Sequence, residues 1–392
     1  MVKATRLLCL QQSTVFESYG GAEYYLDDLL IAAARLLGTE NVRSIVPQRT
    51  ETFKISPRPY SIEIVRFKQR GLFRKIENRY GWDFFWTAYA NAQDFSPTYL
   101  VCAHVSLAPL TYLISKLTKI PYFVIALGIE TWGDLLPQDE WALKRANGII
   151  SISHWTKKVL VERGYDPDRV SVVHPTLNEF FEAIPLPERT PNTSGSLRLL
   201  TISRLAETEQ YKGHDHVLRA LYQIKQLHPD WKIHYTIQGE GADKDRLAAL
   251  VQELALETWV EFKGAVNDRN SLTEIYQSSD LFIMPSRFGR WGGRWRGEGF
   301  GIVFVEAGVF GVPSIAYNCG GATDIIENDK TGLLVDPDNV EKLASAISRF
   351  YENRTLLVSM GKMAHESAKT KFSPSSMVLQ LKHFFGKSYA KT

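Results

Sequence analysis

Cysteine is scarce in this chain of 392 residues, where only Cys9, Cys102 and Cys319 are present. An odd number of scattered cysteines does not provide the disulfide framework that stabilises small secreted proteins. Two of the three lie in apolar, strand-like runs, where a free cysteine behaves as a small hydrophobic residue. The sequence therefore predicts buried thiols and a reducing compartment.

Long apolar runs are also missing from the sequence. No uncharged apolar stretch reaches the roughly 18 residues that span a bilayer. The first residues include Lys3 and Arg6 but lack the apolar stretch of a secretory signal peptide. The net charge of +3 is too small to indicate a nucleic-acid partner. We therefore expect a cytoplasmic protein that binds no nucleic acid.

Apolar residues, in contrast, are abundant enough to build large cores. The chain is 44% hydrophobic and 23% charged, as in globular proteins, and about 150 residues per domain indicates two or three domains. Short apolar runs alternate with longer helical patterns, which predicts an α/β fold with parallel sheets. Strands are predicted at Leu7–Leu10, Val42–Val46, Ile62–Val65, Tyr99–Ala103, Tyr122–Ala126, Gly148–Ile152, Val170–Val173, Leu197–Ile202, Lys232–Ile237, Val260–Phe262, Leu281–Met284, Ser314–Tyr317 and Leu333–Val335.

A segment from Ile184 to Gly195 separates the two halves of this pattern. It is rich in Pro, Ser, Thr and Gly, which is the composition of a linker. The sequence therefore predicts a first domain over residues 1–184 and a second domain over residues 196–372.

The segment from Glu298 to Glu306 is the most informative part of the chain. Gly299 and Gly301 follow Glu298, and an apolar run then continues past Glu306, which predicts a loop followed by a helix. Glycines let backbone N–H groups approach a ligand, and the first turn of a helix has free donors and a partial positive charge. The segment therefore predicts a phosphate or diphosphate site. Taken alone, it also fits an ordinary buried helix with one solvated glutamate.

This segment resembles the E-x7-E element of the retaining glycosyltransferases of family four, which transfer sugars from nucleotide-sugar donors. The resemblance covers nearly the whole chain. Its motifs are individually weak, but their order and spacing together are specific. The other motifs are Gly20-Gly21-Ala22-Glu23, Ser203-Arg204-Leu205 with Lys212-Gly213, Gly239-Glu240-Gly241, Met284-Pro285-Ser286, Gly320-Gly321-Ala322 and Glu327-Asn328.

The resemblance implies the GT-B fold, in which two Rossmann-like, doubly wound domains face each other across a cleft. Ligands of open parallel sheets bind outside the carboxyl ends of the strands. The first domain would bind the acceptor, and the second would bind the nucleotide-sugar donor. A C-terminal helix, within residues 373–392, would cross back to the first domain.

The resemblance also implies roles for individual residues. Arg204 and Lys212 would clamp the donor diphosphate with fixed charge, although two solvated surface cations remain the alternative. Glu298 would bind hydroxyls of the donor sugar, and Glu306 the ribose. Further donor-binding residues would be Gly20, Gly21, Gly239, Val266, Gly299, Phe300, Gly301 and Ile302. Val266 belongs to a segment that either reads the nucleobase through its backbone or is a plain strand end.

The reaction implied is a retaining, metal-independent transfer of a hexose without any cofactor. The departing phosphate would help take the acceptor proton, so catalysis would depend on positioning and on charge stabilisation. Asp166-Pro-Asp168 and Asp336-Pro-Asp338 resemble metal-binding D-x-D motifs, but the central proline indicates turns. We expect UDP-glucose or UDP-glucuronate as donor, and a saccharide or lipid-linked saccharide as acceptor, in surface or exopolysaccharide synthesis.

One departure from the family pattern lies in the first domain. Many relatives have His-Gly after the fifth strand, where this chain has Leu127-Gly128. Leucine cannot donate a hydrogen bond or transfer a proton, so Glu130 is a candidate catalytic residue in its place. His104 could face the same space, or could equally be a structural histidine. Leu127 also keeps open an alternative function, a catalytically silent scaffold of the same fold that binds a sugar nucleotide.

A second departure is an insert between Ser286 and Glu298, where relatives need only a few residues. A Gly-rich loop beside an active site can act as a lid, and its tryptophans and arginines can bind sugars and anions. A solvated, disordered insert is the alternative. The candidate lid or acceptor residues are Arg290, Trp291, Arg294, Trp295 and Arg296.

The segment Arg66–Phe95 mixes basic and aromatic residues. Such a mixture predicts either peripheral contact with an anionic membrane surface or an amphipathic helix whose aromatic residues pack inward. A nicotinamide-dependent dehydrogenase would also be doubly wound, but its G-x-G-x-x-G motif is missing from the sequence.

Overall fold

The computed structural model of the chain describes residues 4–14, 20–48, 56–66, 82–189, 195–266 and 268–386. The chain divides into two compact units. The first unit comprises Met1–Thr176 with Pro374–Thr392, and the second comprises Leu177–Ser373. The division falls before the predicted linker, because the short helix Glu179–Ala183 belongs to the second unit.

The first unit contains a seven-stranded parallel sheet in the order β3-β2-β1-β4-β5-β6-β7. Its central strands are buried on both faces, which explains their nearly continuous apolar sequences. The strands are β1 (Leu7–Leu10), β2 (Val42–Gln48), β3 (Ser61–Arg66), β4 (Tyr99–Cys102), β5 (Tyr122–Ala126), β6 (Gly148–Ser151) and β7 (Val170–Val172).

Helices follow most of these strands. In the first half of the chain they are α1 (Gly21–Leu37), α2 (Trp82–Phe95), α3 (Ala108–Thr118), α4 (Ile129–Trp132), α5 (Pro137–Leu143) and α6 (His154–Glu162). The last of the described helices, α15 (Pro374–Gly386), also packs in the first unit. Its Phe384 ring lies 5.0 Å from the ring of Phe123 on β5. The C-terminal helix expected within residues 373–392 is therefore present and belongs to the first unit.

The second unit contains a six-stranded parallel sheet in the order β10-β9-β8-β11-β14-β15. A separate two-stranded antiparallel sheet, β12-β13, accompanies it. The strands are β8 (Leu197–Ile202), β9 (Ile233–Gln238), β10 (Val260–Lys263), β11 (Leu281–Ile283), β12 (Gly289–Trp291), β13 (Arg294–Arg296), β14 (Ser314–Tyr317) and β15 (Gly332–Val335). The helices are α7 (Glu179–Ala183), α8 (His214–Leu227), α9 (Lys244–Glu253), α10 (Arg269–Gln277), α11 (Ile302–Val309), α12 (Ala322–Ile325), α13 (Val340–Glu352) and α14 (Thr355–Lys371).

Both large sheets reverse their strand order at the centre. The reversal lies between β1 and β4 in the first unit and between β8 and β11 in the second. Such a switch point opens a crevice at the carboxyl ends of the strands, and ligands of doubly wound sheets bind there. The predicted α/β class with two Rossmann-like sheets is confirmed. Among the described helices, none is long and apolar enough to cross a bilayer.

Candidate active site

The switch point of the second unit carries the predicted cations. Arg204 follows β8, and Lys212 ends the 3-10 helix Glu207–Lys212. The Lys212 Nζ lies 2.7 Å from Glu209 Oε2, and Arg204 pairs with the other oxygen of the same carboxylate. Lys212 is 11% exposed, whereas Arg204 is 78% exposed. Glu209 therefore fixes Lys212 inside the site, while the guanidinium of Arg204 reaches into solvent.

Glu298 lies beside this ion cluster. Burial raises the pKa of its carboxyl, the nearby Glu209 reinforces the shift, and Lys212 and Arg204 oppose it. A backbone N–H donated by Phe300 also lowers the pKa. The structure thus brings Glu298 together with both predicted cations, and with Glu209, which sequence reasoning missed.

A second glycine loop supports the segment that carries Glu298. The N–H of Gly321 donates to the carbonyl oxygen of Glu298 at 2.8 Å. A Cβ at Gly321 would lie 2.2 Å from the Cα of Phe300 and 2.5 Å from the oxygen of Gly299. Any side chain at Gly321 would therefore displace the Glu298 loop. The Phe300 side chain is buried rather than directed to a ligand, and its ring lies 5.6 Å from that of Phe372.

Helix α11 begins at Ile302 after Gly301, whose φ of 94° is in the left-handed region that favours glycine. Glu306 lies on this helix and accepts a hydrogen bond of 2.9 Å from the hydroxyl of Tyr276 on α10. Burial raises the pKa of Glu306 to about 7, and the Tyr276 hydrogen bond opposes the rise. Tyr276, a second residue that the sequence did not indicate, therefore fixes the orientation of the Glu306 carboxylate.

The loop after β9 approaches the loop that carries Arg204. A Cβ at Gly239 would lie 1.8 Å from the oxygen of Ser203, and one at Gly241 would lie 2.1 Å from that of Leu205. These glycines thus permit contact between two strand-end loops. Val266, half-buried, follows β10 at the neighbouring strand end.

The insert before Glu298 is folded rather than a solvated, disordered loop. β12 and β13 pair in antiparallel register, and Gly292 and Gly293 form the turn with φ of 56° and 76°. Positive φ at both positions is the signature of a type I′ turn, whose twist matches that of a hairpin. Arg290, Trp291, Arg294, Trp295 and Arg296 therefore all lie on a defined hairpin.

The remaining candidates lie in the first unit, at the carboxyl ends of β1, β4 and β5. Gly20 and Gly21 begin α1. His104 caps the 3-10 helix Val105–Leu107, with its Nδ1 2.7 Å from Ser106 Oγ and 3.2 Å from Ser106 N. This capping contact favours the structural role among the two that the sequence left open for His104.

Glu130 is engaged within its own turn. Its Oε1 accepts a hydrogen bond of 2.6 Å from the N–H of Leu127. Burial raises the pKa of Glu130 to about 7, against hydrogen bonds from the backbone of the same turn. The carboxylate thus holds the loop in which Leu127 replaces the histidine of many relatives.

Two family models match the chain, and together they account for most of it. One is described as Glycosyltransferase Family 4 and matches residues 19–179. The other is described as Glycosyl transferases group 1 and matches residues 187–367. Two Rossmann-like sheets with this site are those of a GT-B glycosyltransferase. The chain belongs to the group 1 glycosyltransferases of family four.

Curated relatives match parts of the chain. An exopolysaccharide phosphotransferase of Streptomyces coelicolor is 37% identical over 172 residues, which cover 44% of this chain and 17% of that protein. A GDP-mannose-dependent α-(1-6)-phosphatidylinositol monomannoside mannosyltransferase of Mycobacterium tuberculosis is 31% identical over 184 residues, which cover 47% of this chain and 46% of that protein. The matched segments span less than half the length of these relatives.

Solved structures match almost the whole fold. Anabaena HepE, in complex with UDP and glucose, has a TM-score of 0.72 with this chain at 16% identity, over 97% of this chain and 99% of that one. At this identity, the similarity establishes the fold alone.

Proposed function

We propose that this protein is a hexosyltransferase that uses a nucleotide sugar as donor. The observation that carries the proposal is the cluster of Arg204, Lys212 and Glu298 beside the start of α11. Two cations and a helix N-terminus suit a diphosphate, and a carboxylate next to them suits the hydroxyls of the attached sugar. A dehydrogenase or a simple sugar-binding site would not require this combination.

Each residue of the cluster has a distinct part in the proposed reaction. Arg204 and Lys212 neutralise charge that develops on the leaving diphosphate, and free N–H groups at the start of α11 add to this effect. Glu298 orients the donor sugar. Glu306, held by Tyr276, accepts hydrogen bonds from the ribose.

We further propose that the transfer retains the anomeric configuration and needs no metal ion. The departing phosphate accepts the acceptor proton, so no protein nucleophile is required. Glu130 of the first unit stays a candidate catalytic residue; its carboxylate accepts a hydrogen bond from the N–H of Leu127.

We propose UDP-glucose as the first candidate donor and UDP-glucuronate as the second. The proposed acceptor is a saccharide or a lipid-linked saccharide. The bound UDP and glucose of HepE support a UDP-sugar, and the exopolysaccharide phosphotransferase supports a role in exopolysaccharide synthesis. The GDP-mannose of the mycobacterial relative makes GDP-mannose the competitor to include in any test.

The test is release of the nucleoside diphosphate from UDP-glucose, UDP-glucuronate and GDP-mannose, with and without a mixture of saccharide acceptors. We expect one UDP-sugar to be turned over, and the Lys212→Ala variant to be slower by about ten- to hundredfold, the effect of one lost charge-assisted contact. Binding of a UDP-sugar without turnover would instead identify the silent scaffold. Failure to bind any of the three would reject both functions.

Peripheral contact with the cytoplasmic face of a membrane is a further part of the proposal. On α2, Phe84 and Phe85 are buried, whereas Trp82 and Trp86 are 73% and 57% exposed. Exposed tryptophans suit a membrane interface. The basic residues Arg70, Arg74, Lys75 and Arg79, on which the sequence prediction also depended, lie outside the described residues. Sedimentation with anionic vesicles should recover the wild-type protein but less of a Trp82→Ala/Trp86→Ala variant, and equal recovery would refute the contact.

A further inference from the structure

The hairpin β12–β13 is anchored to the part of the site that holds the cations. At its base, the N–H of Arg287 donates to the carbonyl oxygen of Tyr211 at 2.7 Å. The Arg287 guanidinium, only 15% exposed, donates to the oxygen of Gln210 at 2.8 Å and lies 3.5 Å from a carboxylate oxygen of Asp215. Gln210 and Tyr211 belong to the same 3-10 helix as Glu209 and Lys212. The hairpin therefore has a fixed position relative to Lys212.

The register of the hairpin divides its side chains between two faces. Trp291 pairs with Arg294, Gly289 pairs with Arg296, and Arg290 pairs with Trp295. Because successive side chains of a strand alternate between faces, Trp291, Arg294 and Arg296 share one face. Arg290 and Trp295 share the other. We call the first set the Arg296 face.

The Arg296 face is the one beside the candidate active site. The Trp291 ring lies 6.4 Å from the ring of Tyr211. Tyr211 is buried, and its hydroxyl senses the charges of both Glu298 and Arg296. On the opposite face, the Trp295 ring stacks on Phe288 at 4.9 Å and lies 5.6 Å from the guanidinium of Arg290. The pleat thus separates Arg294 and Arg296 from Arg290, a distinction that the sequence alone did not make.

The charges of the Arg296 face are not balanced by neighbouring acids. Arg204 and Lys212 share Glu209, and Arg287 has Asp215. Within the described ranges, in contrast, no carboxylate lies in ion-pair distance of Arg294 or Arg296. Trp291 is half-buried, and the Arg287 guanidinium lies 5.2 Å from the centre of its ring. The exposed part of the ring offers a contact for a sugar, and Arg294 and Arg296 offer forks for an oxyanion.

We infer that Trp291, Arg294 and Arg296 form a subsite for an oxyanion, a carboxylate or phosphate, carried by a sugar substrate. The inference rests on the proposed function, because it assigns a substrate class to the same site. The donor diphosphate already has its own cations in Arg204 and Lys212. The group that the hairpin binds is therefore an additional anion, on either the donor sugar or the acceptor.

Isothermal titration shows whether the bound anion belongs to the donor sugar or to the acceptor. In one arm, the protein is titrated with UDP-glucuronate and with UDP-glucose. In the other, UDP-saturated protein is titrated with methyl glucuronide, glucose 6-phosphate and methyl glucoside. We expect the anionic ligand to bind at least about tenfold more tightly than its neutral counterpart in one of the two arms, as one charge-assisted contact allows.

Matched variants locate the effect on the hairpin. Arg296→Gln and Arg290→Gln each remove one positive charge from the same element, so long-range electrostatics change by the same amount. We expect Arg296→Gln, and in addition Arg294→Gln, to lose the preference for the anionic ligand, while Arg290→Gln retains it. All three should bind UDP like the wild type, which also shows that they are folded.

Each other outcome overturns the inference. Equal affinities for anionic and neutral ligands in both arms would contradict the proposed subsite. If the preference for the anionic ligand survives in Arg296→Gln but disappears in Arg290→Gln, the anion binds on the opposite face and the assignment to the Arg296 face is wrong. A wild-type protein that binds UDP but shows no preference refutes the subsite alone, whereas a wild-type protein that does not bind UDP refutes the UDP-sugar donor on which the inference rests.

Discussion

At the residue scale, the site depends on carboxylates held close to cations or hydroxyls. The Glu209 carboxylate forms ion pairs with both Arg204 and Lys212, and the Tyr276 hydroxyl donates a hydrogen bond to Glu306. These supporting groups keep the candidate ligand-binding side chains in one orientation, which would reduce the cost of ordering them when a substrate binds.

The two glutamates of the E-x7-E segment should have separable effects. We expect Glu298→Gln to lower turnover more than UDP affinity, because its proposed partner is the sugar. Glu306→Ala should mainly weaken nucleotide binding, by about ten- to hundredfold for a hydrogen bond to a charged group. Steady-state kinetics and UDP titration measure the two quantities. Equal losses of both quantities in both variants would contradict this division.

The raised pKa of Glu306 predicts a pH dependence of donor binding. With a pKa of about 7, compared with the ordinary 4.5, the free protein retains a proton on Glu306 below neutral pH. Ribose hydroxyls donate to the ionised carboxylate, so binding releases this proton and is favoured as pH rises. Affinity for UDP-glucose should therefore increase between about pH 6 and 8. Titration of Glu306→Gln should show a smaller increase, and an unchanged slope would contradict the assignment.

The resemblance to family four indicated Arg204, Lys212, Glu298 and Glu306, through the order and spacing of its motifs. Strand ends and a helix start, which follow from local patterns, supported it. Glu209 and Tyr276 could not be identified in the same way. Tyr276 meets Glu306 only through the packing of α10 against α11, thirty positions away in the chain. Glu209 lies three residues before Lys212, a spacing that fits many solvated pairs.

At the scale of elements, glycine-dependent loops determine where the functional groups lie. Because Gly239 and Gly241 have no side chain, the backbone of the loop that carries Arg204 can pack against them. Gly321 allows the same close approach to the loop that carries Glu298. The hairpin, unlike the sheets, was not predicted. Its signal was present, since Arg-Trp on each side of Gly292-Gly293 is the pattern of a two-residue type I′ hairpin. The arginines, which are also typical of solvated loops, obscured it.

Gly321→Ala tests whether the second glycine loop supports the site. The added Cβ would meet the backbone of Phe300 at 2.2 Å, so the Glu298 loop must shift. We expect UDP affinity to fall by at least about tenfold, or roughly 1.4 kcal/mol. Gly386→Ala is the control, because its Cβ would have no neighbour within 4 Å among the residues that the structure describes. Equal UDP affinities of the two variants would show that the support is dispensable.

At the scale of the whole molecule, two sheets share one topological plan. Every predicted strand of both sheets is present, because parallel strands buried on both faces have short, strongly apolar sequences. The boundary between the units was less predictable. The α7 segment precedes the Pro-rich linker but packs on the second unit, where the Phe181 ring lies 6.1 Å from that of Phe310. Such long-range packing has no local signature.

The cations of the proposed diphosphate site predict a metal-independent transfer. Arg204, Lys212 and the start of α11 would supply the positive charge that a diphosphate needs. Asp166, by comparison, accepts a hydrogen bond of 2.9 Å from the N–H of Asp168 and so serves its own turn. We expect activity to be unchanged by EDTA. A strict requirement for added manganese or magnesium would contradict the proposed chemistry.

The most direct test of the central claim is titration of UDP into the wild-type protein and three variants. Arg204→Ala and Lys212→Ala each remove a charge-assisted contact worth about 1.5–3 kcal/mol, so their affinities should fall by roughly ten- to hundredfold. Lys342→Ala removes a lysine from an exposed ion pair with Asp336 in the same unit and should leave the affinity unchanged. UDP affinity equal to that of the wild type in both Arg204→Ala and Lys212→Ala would contradict the diphosphate site.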